Sequence, residues 1–82
     1  MSVFELGMKL KVMYSLEHVN KVAMIHLFAV VYGGIMRAEN IKPIEVLRAA
    51  KMPESYVTEI NKGINLSKYV VLREDYKDVF GV

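Results

Sequence analysis

Apolar residues recur at helical spacing from the start of the chain. Ser2, with Glu5 three places later, forms a capping-box signature, and Val3, Leu6, Leu10 and Met13 follow on one stripe. This predicts a helix to about Leu16. The alternation Met8-Lys9-Leu10-Lys11-Val12 offers a competing strand, but a shorter one without turn residues. The pattern resets around Glu17 to Asn20, and the segment that follows is apolar on nearly every side as far as Tyr32. A helix that is hydrophobic all round is buried all round, so this is a central helix or one shared with a second subunit. Gly33 is expected to end it in the left-handed conformation. Ile35-Met36-Arg37 then suits a short strand. Asn40 as cap and Pro43 in the first turn predict a further helix with Ile44, Val46, Leu47 and Ala50 on its apolar side. It should end near Lys51, because the residue before Pro53 is biased away from helical angles.

Pro53 is expected to open the next helix, with Glu54 in the first turn where the helix dipole favours an anion. Val57, Ile60 and Ile64 mark its buried side. Ser55, Thr58, Glu59 and Lys62 recur on the other side as a polar stripe, the candidate reading surface. Gly63 either ends this helix or is carried within it at about 1 kcal/mol relative to alanine. Beyond it, Tyr69-Val70-Val71-Leu72-Arg73-Glu74 is rich in β-branched and aromatic residues. Asp75 to Asp78 can turn and Val79 to Val82 can return, which reads as a terminal β-hairpin.

The order of these elements resembles the winged helix-turn-helix superfamily of DNA-binding proteins, small archaeal and viral regulators among them. The resemblance covers residues 19–82 and is carried by "IEVLRAAKMPESYVTEINKGINLSKYVVLRED". It implies a mostly α fold with a small β-hairpin: a single winged-helix domain over residues 1–82, its core at 19–82 and an extra N-terminal helix at 1–17. It assigns that first helix to dimerisation, with Leu10 on the stripe that would face the partner. It also implies double-stranded DNA as the partner of a small homodimeric transcriptional regulator. Specific contacts would come from Ser55, Thr58, Glu59 and Lys62, and backbone contacts from Arg48, Lys51, Arg73 and Lys77. Serine, threonine and lysine donate to phosphates or base edges, and a glutamate accepts from the exocyclic amine of cytosine.

Composition changes this picture in two ways. The 82 residues make one domain near the lower limit for a single core, and 54% are apolar, above the roughly 45–50% of typical soluble domains. By area alone, some of the excess should lie in a subunit interface. The net charge is only +2, and from Lys42 onward seven Lys or Arg face six Asp or Glu, a balance of +1. Any affinity for DNA must come from where the charges sit. The low charge and the acidic Glu54 and Glu59 support a second reading, a winged-helix module that binds protein and not DNA.

Other chemistries find little support. There is no cysteine, so disulfides and thiolate metal sites are excluded, and a cytoplasmic, reducing setting is expected. His18 and His26 are eight apart and lack a completing ligand, so no metal or other cofactor is expected, and His26 reads as a hydrogen-bonded core residue. Gly33-Gly34 lacks the rest of a phosphate loop. No nucleophile, base and orienter are spaced in a catalytic motif, and neither an enzyme nor a small-molecule site is expected. The apolar run Val22 to Met36 is interrupted by His26 and is shorter than the roughly 18–20 residues of a membrane span, so no membrane partner is expected. Tyr56 and Tyr69 could stack on a nucleic acid, or pack with their hydroxyls reaching water.

Overall fold

The computed structural model describes residues 1–82 as five helices: α1 (Val3–Tyr14), α2 (Lys21–Ala38), α3 (Pro43–Ala49), α4 (Val57–Leu66) and α5 (Glu74–Phe80). A 3₁₀ turn over Glu54–Tyr56 leads into α4. The capping box forms as read: the Glu5 amide donates to Ser2 Oγ at 3.0 Å, and the Ser2 amide donates to Glu5 Oε1 at 3.1 Å. Asn20 caps α2 by accepting from the Ala23 amide at 2.9 Å. At the other end of α1, Lys21 Nζ donates to the Tyr14 and Leu16 carbonyls, satisfying acceptors that a helix C-terminus leaves open.

The central helix is α2, packed on α4 along one side and on α1 along another, while α1 also covers α3. Sixteen buried residues form one cluster around Phe28, with Leu6, Leu10 and Met13 from α1, Ile25 and Met36 from α2, Val46 and Leu47 from α3, and Ile60 from α4. By length and mean hydropathy (18 residues, 1.3) α2 would suffice to cross a membrane. Its apolar side is already spent on the other helices.

Two crossings bring backbones unusually close. Gly7 lies against Ala49 and Ala50 where α1 meets α3, and Gly63 lies against His26 and Ala29 where α4 meets α2. The ambiguity at Gly63 is thereby resolved. It is carried inside α4, where the missing side chain lets α2 approach.

Three expectations are corrected. The helix does not stop at Gly33-Gly34. Glycine costs only about 1 kcal/mol in a helix interior, and burial of Tyr32, Gly33 and Met36 holds α2 together, so Ile35 to Arg37 are helical and not a strand. The helix ends instead at Asn40, which takes a left-handed φ of 55°. Ile41 then donates to the Met36 carbonyl at 2.8 Å and Asn40 to that of Arg37, a Schellman motif. Asn40 therefore closes α2, and the N-cap of α3 is Lys42, whose amide donates to Glu45 Oε2 at 3.2 Å.

The largest correction is the hairpin. The chain contains no strand, and the winged fold with its small β-hairpin gives way to an all-α one. Residues 70–73 have no regular structure, and Glu74–Phe80 is α5, with Glu74 and Asp75 in its first turn, Lys77 in its last and Gly81 at a left-handed φ of 72° beyond. These are helix-terminus signals that outweigh the β propensity of a two-stranded hairpin, itself marginal without further strands. Phe80 returns to the core, beside Leu72 in the buried cluster.

The stripe of Leu6, Leu10 and Met13 is likewise accounted for within the chain. All three are fully buried in its own core, so they face no second subunit.

Candidate nucleic-acid interface

α3 and α4 make the helix-turn-helix. The turn between them is tight because Lys51 adopts a left-handed φ of 55°, with Met52 donating to the Leu47 carbonyl at 3.0 Å and Lys51 to that of Arg48 at 3.1 Å. This second Schellman motif reverses the chain and buries Met52. Tyr56 is fixed from α1, its hydroxyl 2.9 Å from that of Tyr14. The hydrogen bond pushes the Tyr14 phenol above its ordinary value. Tyr56 thus has a packing role, whereas Tyr69 stands exposed.

α4 turns Ile60 and Gly63 into the core, with Val57 and Ile64 half-buried beside them. Its outward side carries Thr58, Asn61, Lys62 and Asn65, continued by Ser55 of the 3₁₀ turn. Sequence reasoning missed Asn61 and Asn65. The apolar arc of Val57, Ile60 and Ile64 by itself leaves Glu59 on the far side with Thr58 and Lys62; burial of Gly63 and the contact of Glu59 with α2 turn the outward face toward Asn61 and Asn65.

Glu59 belongs to the flank that meets α2. His26 Nε2 donates to Glu59 Oε2 at 2.5 Å, with the two side chains 33% and 23% exposed, and Lys62 Nζ reaches Glu59 Oε1 at 3.3 Å. Glu59 and His26 together tie α4 to α2. The hydrogen bond from His26, assisted by that from Lys62, holds the Glu59 carboxyl below the usual carboxylate range. Because the folded state favours its charged form, this contribution to stability is complete above the ordinary value of 4.5 and is lost as pH falls through the lowered folded value. The thermal midpoint of Glu59→Gln should therefore fall less steeply than that of the wild type on acidification below pH 4.5. Parallel acid limbs in a calorimetric pH series would show that the pair does not link α4 to α2.

The remaining candidates fall into two groups. Arg48 on α3 spans the turn to Glu54, through Nε to Oε2 at 3.2 Å and Nη2 to Oε1 at 3.3 Å. Lys51 stands exposed at the turn itself and makes no ion pair. Both flank the start of α4. Arg73 caps α5 and Lys77 lies in it; α5 makes no extensive contact with α4, and the two cations pair locally with Asp75 at 2.7 Å and Glu74 at 3.0 Å. Without a wing they do not join the α4 cluster. A further cation, Arg37 of α2, donates from Nη1 to the Ile64 carbonyl and Ser67 Oγ, both at 3.1 Å, and so secures the C-terminus of α4.

The ion pairs of Arg48 and Lys62 are exposed, and such pairs contribute about 0–1 kcal/mol, so either cation can be surrendered to a phosphate at small cost. The helix pair, its tight turn and the outward polar face of α4 accord with the family comparison, in which residues 2–73 match the model of the HTH-like domain. The chain belongs to the HTH-like domain family. No curated protein and no solved structure matches it. The HTH-like domain takes in α1 to α4 and stops at Arg73, the residue before α5. Helix-turn-helix architecture raises nucleic acid as the partner to consider first, and α4 is the element that occupies the reading position in it.

Proposed function

We propose that the chain is an intracellular, non-enzymatic protein that binds double-stranded DNA sequence-specifically as a small homodimeric transcriptional regulator, with α4 entering the major groove. The observation that carries this reading is the outward face of α4. Ser55, Thr58, Asn61 and Asn65 make no side-chain hydrogen bond within the chain, and they stand beside Lys62 on a helix held by α2. Asparagine is suited to adenine, whose N6 and N7 it can engage together, so Asn61 and Asn65 join Thr58 and Lys62 as base-reading residues. Arg48 and Lys51 lie where the preceding helix meets the phosphate backbone.

The experiment is an anisotropy titration of a random-sequence duplex at low and moderate salt, followed by selection of a preferred sequence. Affinity should collapse as salt rises, because neutralising phosphates releases counterions. On the selected duplex, Asn65→Ala should cost about 1–3 kcal/mol and relax the base preference at one position, with random-sequence binding unchanged. Lys62→Ala should cost about 1 kcal/mol and reduce the salt slope. Wild-type affinity in both variants would remove α4 as the reader.

A second reading also rests on specific contacts. Arg48, Lys62, Arg73 and Lys77 are each met by a carboxylate of the same chain, and the net charge is +2, which suits a module addressing another protein. Absence of binding even at low salt would favour it.

A further inference from the structure

The side of α1 that faces away from the core is apolar. Phe4, Met8 and Val12 recur every four residues as one stripe and are 66%, 52% and 56% exposed, although Leu6, Leu10 and Met13 on the opposite side are fully buried. Phe80 and Gly81, at the end of α5, wall a groove of about 300 Å³ alongside this stripe, with Glu5 and Lys9 also lining it. Three neighbouring large apolar side chains on one small helix are costly to leave in water, and such a surface marks an interaction site.

We propose that the occupant is a second copy of this chain, with the two α1 helices antiparallel about a two-fold axis at Met8. Charge selects this arrangement. Glu5 and Lys9 lie one turn apart on the same flank of the stripe. Antiparallel pairing keeps this flank of both copies on one side of the seam and brings Glu5 of each toward Lys9 of the other, whereas parallel pairing puts the two flanks on opposite sides, where they do not meet. Lys9 makes no ion pair within its own chain, and Glu5 commits only Oε1 to the Ser2 cap. The same symmetry places Phe4 against the second copy's Val12 and Met8 against Met8. The patch is therefore self-complementary, as a two-fold interface requires. Pairing through α1 leaves the outward face of α4 free in both copies, since α1 packs on α2 and α3 and has no extensive contact with α4. The apolar excess of the composition finds its place here. None of this depends on DNA, and the test is made without it.

The full chain should sediment at close to twice 9.4 kDa at tens of micromolar. The chain has no cysteine, so a single introduced thiol reports geometry directly. Met8→Cys should cross-link to a disulfide dimer under mild oxidation at least ten times faster than Val71→Cys, whose site is more exposed at 87% but lies off the stripe. Met8→Glu should sediment as a monomer with wild-type helical circular dichroism. A monomeric wild type overturns the proposal, as does a Met8→Glu dimer or equal cross-linking at positions 8 and 71.

Discussion

Leu10→Glu is expected to leave the chain largely unfolded at neutral pH. Leu10 is 0% exposed, inside the cluster that α1 shares with α2 and α3, and no cation lies among the residues of that cluster to receive a carboxylate. Burying an unpaired charge costs several kcal/mol even after the structure relaxes, and a domain of this length holds only roughly 4–12 kcal/mol in all. Helical ellipticity should collapse at 20 °C, while Met8→Glu, two residues away on the exposed side of the same helix, keeps it. A folded, fully helical Leu10→Glu protein would contradict the placement of α1. From the sequence, Leu10 belongs to a stripe that the resemblance assigns to dimerisation; the structure places it in the chain's own core. The periodicity of Val3, Leu6, Leu10 and Met13 was legible. That Phe4, Met8 and Val12 form a second apolar stripe, and that this one faces outward, was not.

Gly63→Ala should destabilise by about 1–2 kcal/mol, although alanine is the better helix former. An added Cβ would stand 2.6 Å from the His26 carbonyl oxygen and 3.2 Å from the His26 Cα, besides striking the Ala29 side chain. Backbone atoms cannot swing aside, so α4 would have to move off α2. Overpacking of this kind costs roughly 1–3 kcal/mol and occasionally more, against a propensity gain of about 1 kcal/mol. For a chain of this size, about 1–2 kcal/mol lowers the melting temperature by roughly 4–16 °C. Gly34→Ala provides the contrast. Nothing lies within 4 Å of its added Cβ, and its backbone is helical, so the substitution should stabilise by up to about 1 kcal/mol. If Gly63→Ala melts at or above the wild-type temperature, the close crossing of α2 and α4 is wrong.

Much of the fold could be read from local signals. Ser2 with Glu5 and Pro43 in a first turn set helix starts that depend on neighbours a few residues away. The helix-turn-helix followed from the Met52-Pro53 break and the periodicity on either side. The terminal hairpin and the Asn40 cap failed on local helix-end signals that were weighed wrongly, and the other failures depended on contacts distant in sequence. Gly33-Gly34 looks like a stop until Tyr32 and Met36 are seen in the core on either side of it. Glu59 looks like part of a solvated stripe until His26, 33 residues earlier, is found against it. At the candidate interface, the apolar arc of α4 was enough to reveal Thr58 and Lys62, but Asn61 and Asn65 needed the orientation of Glu59 to be known.

Residues 69–72, Tyr-Val-Val-Leu, bear on how the protein avoids aggregation. This β-prone run carries no proline, and Tyr69 and Val71 are largely exposed with no strand beside them. Short segments of this kind readily stack with copies of themselves. Lys68 stands immediately before the run and Arg73 immediately after it, and in-register stacking would pile these like charges at both ends. Arg73 also opens α5 as its N-cap, so the chain turns helical at Glu74, directly after that flanking charge. The run is thus kept too short, and too well flanked by charge, to serve as a template for fibril growth.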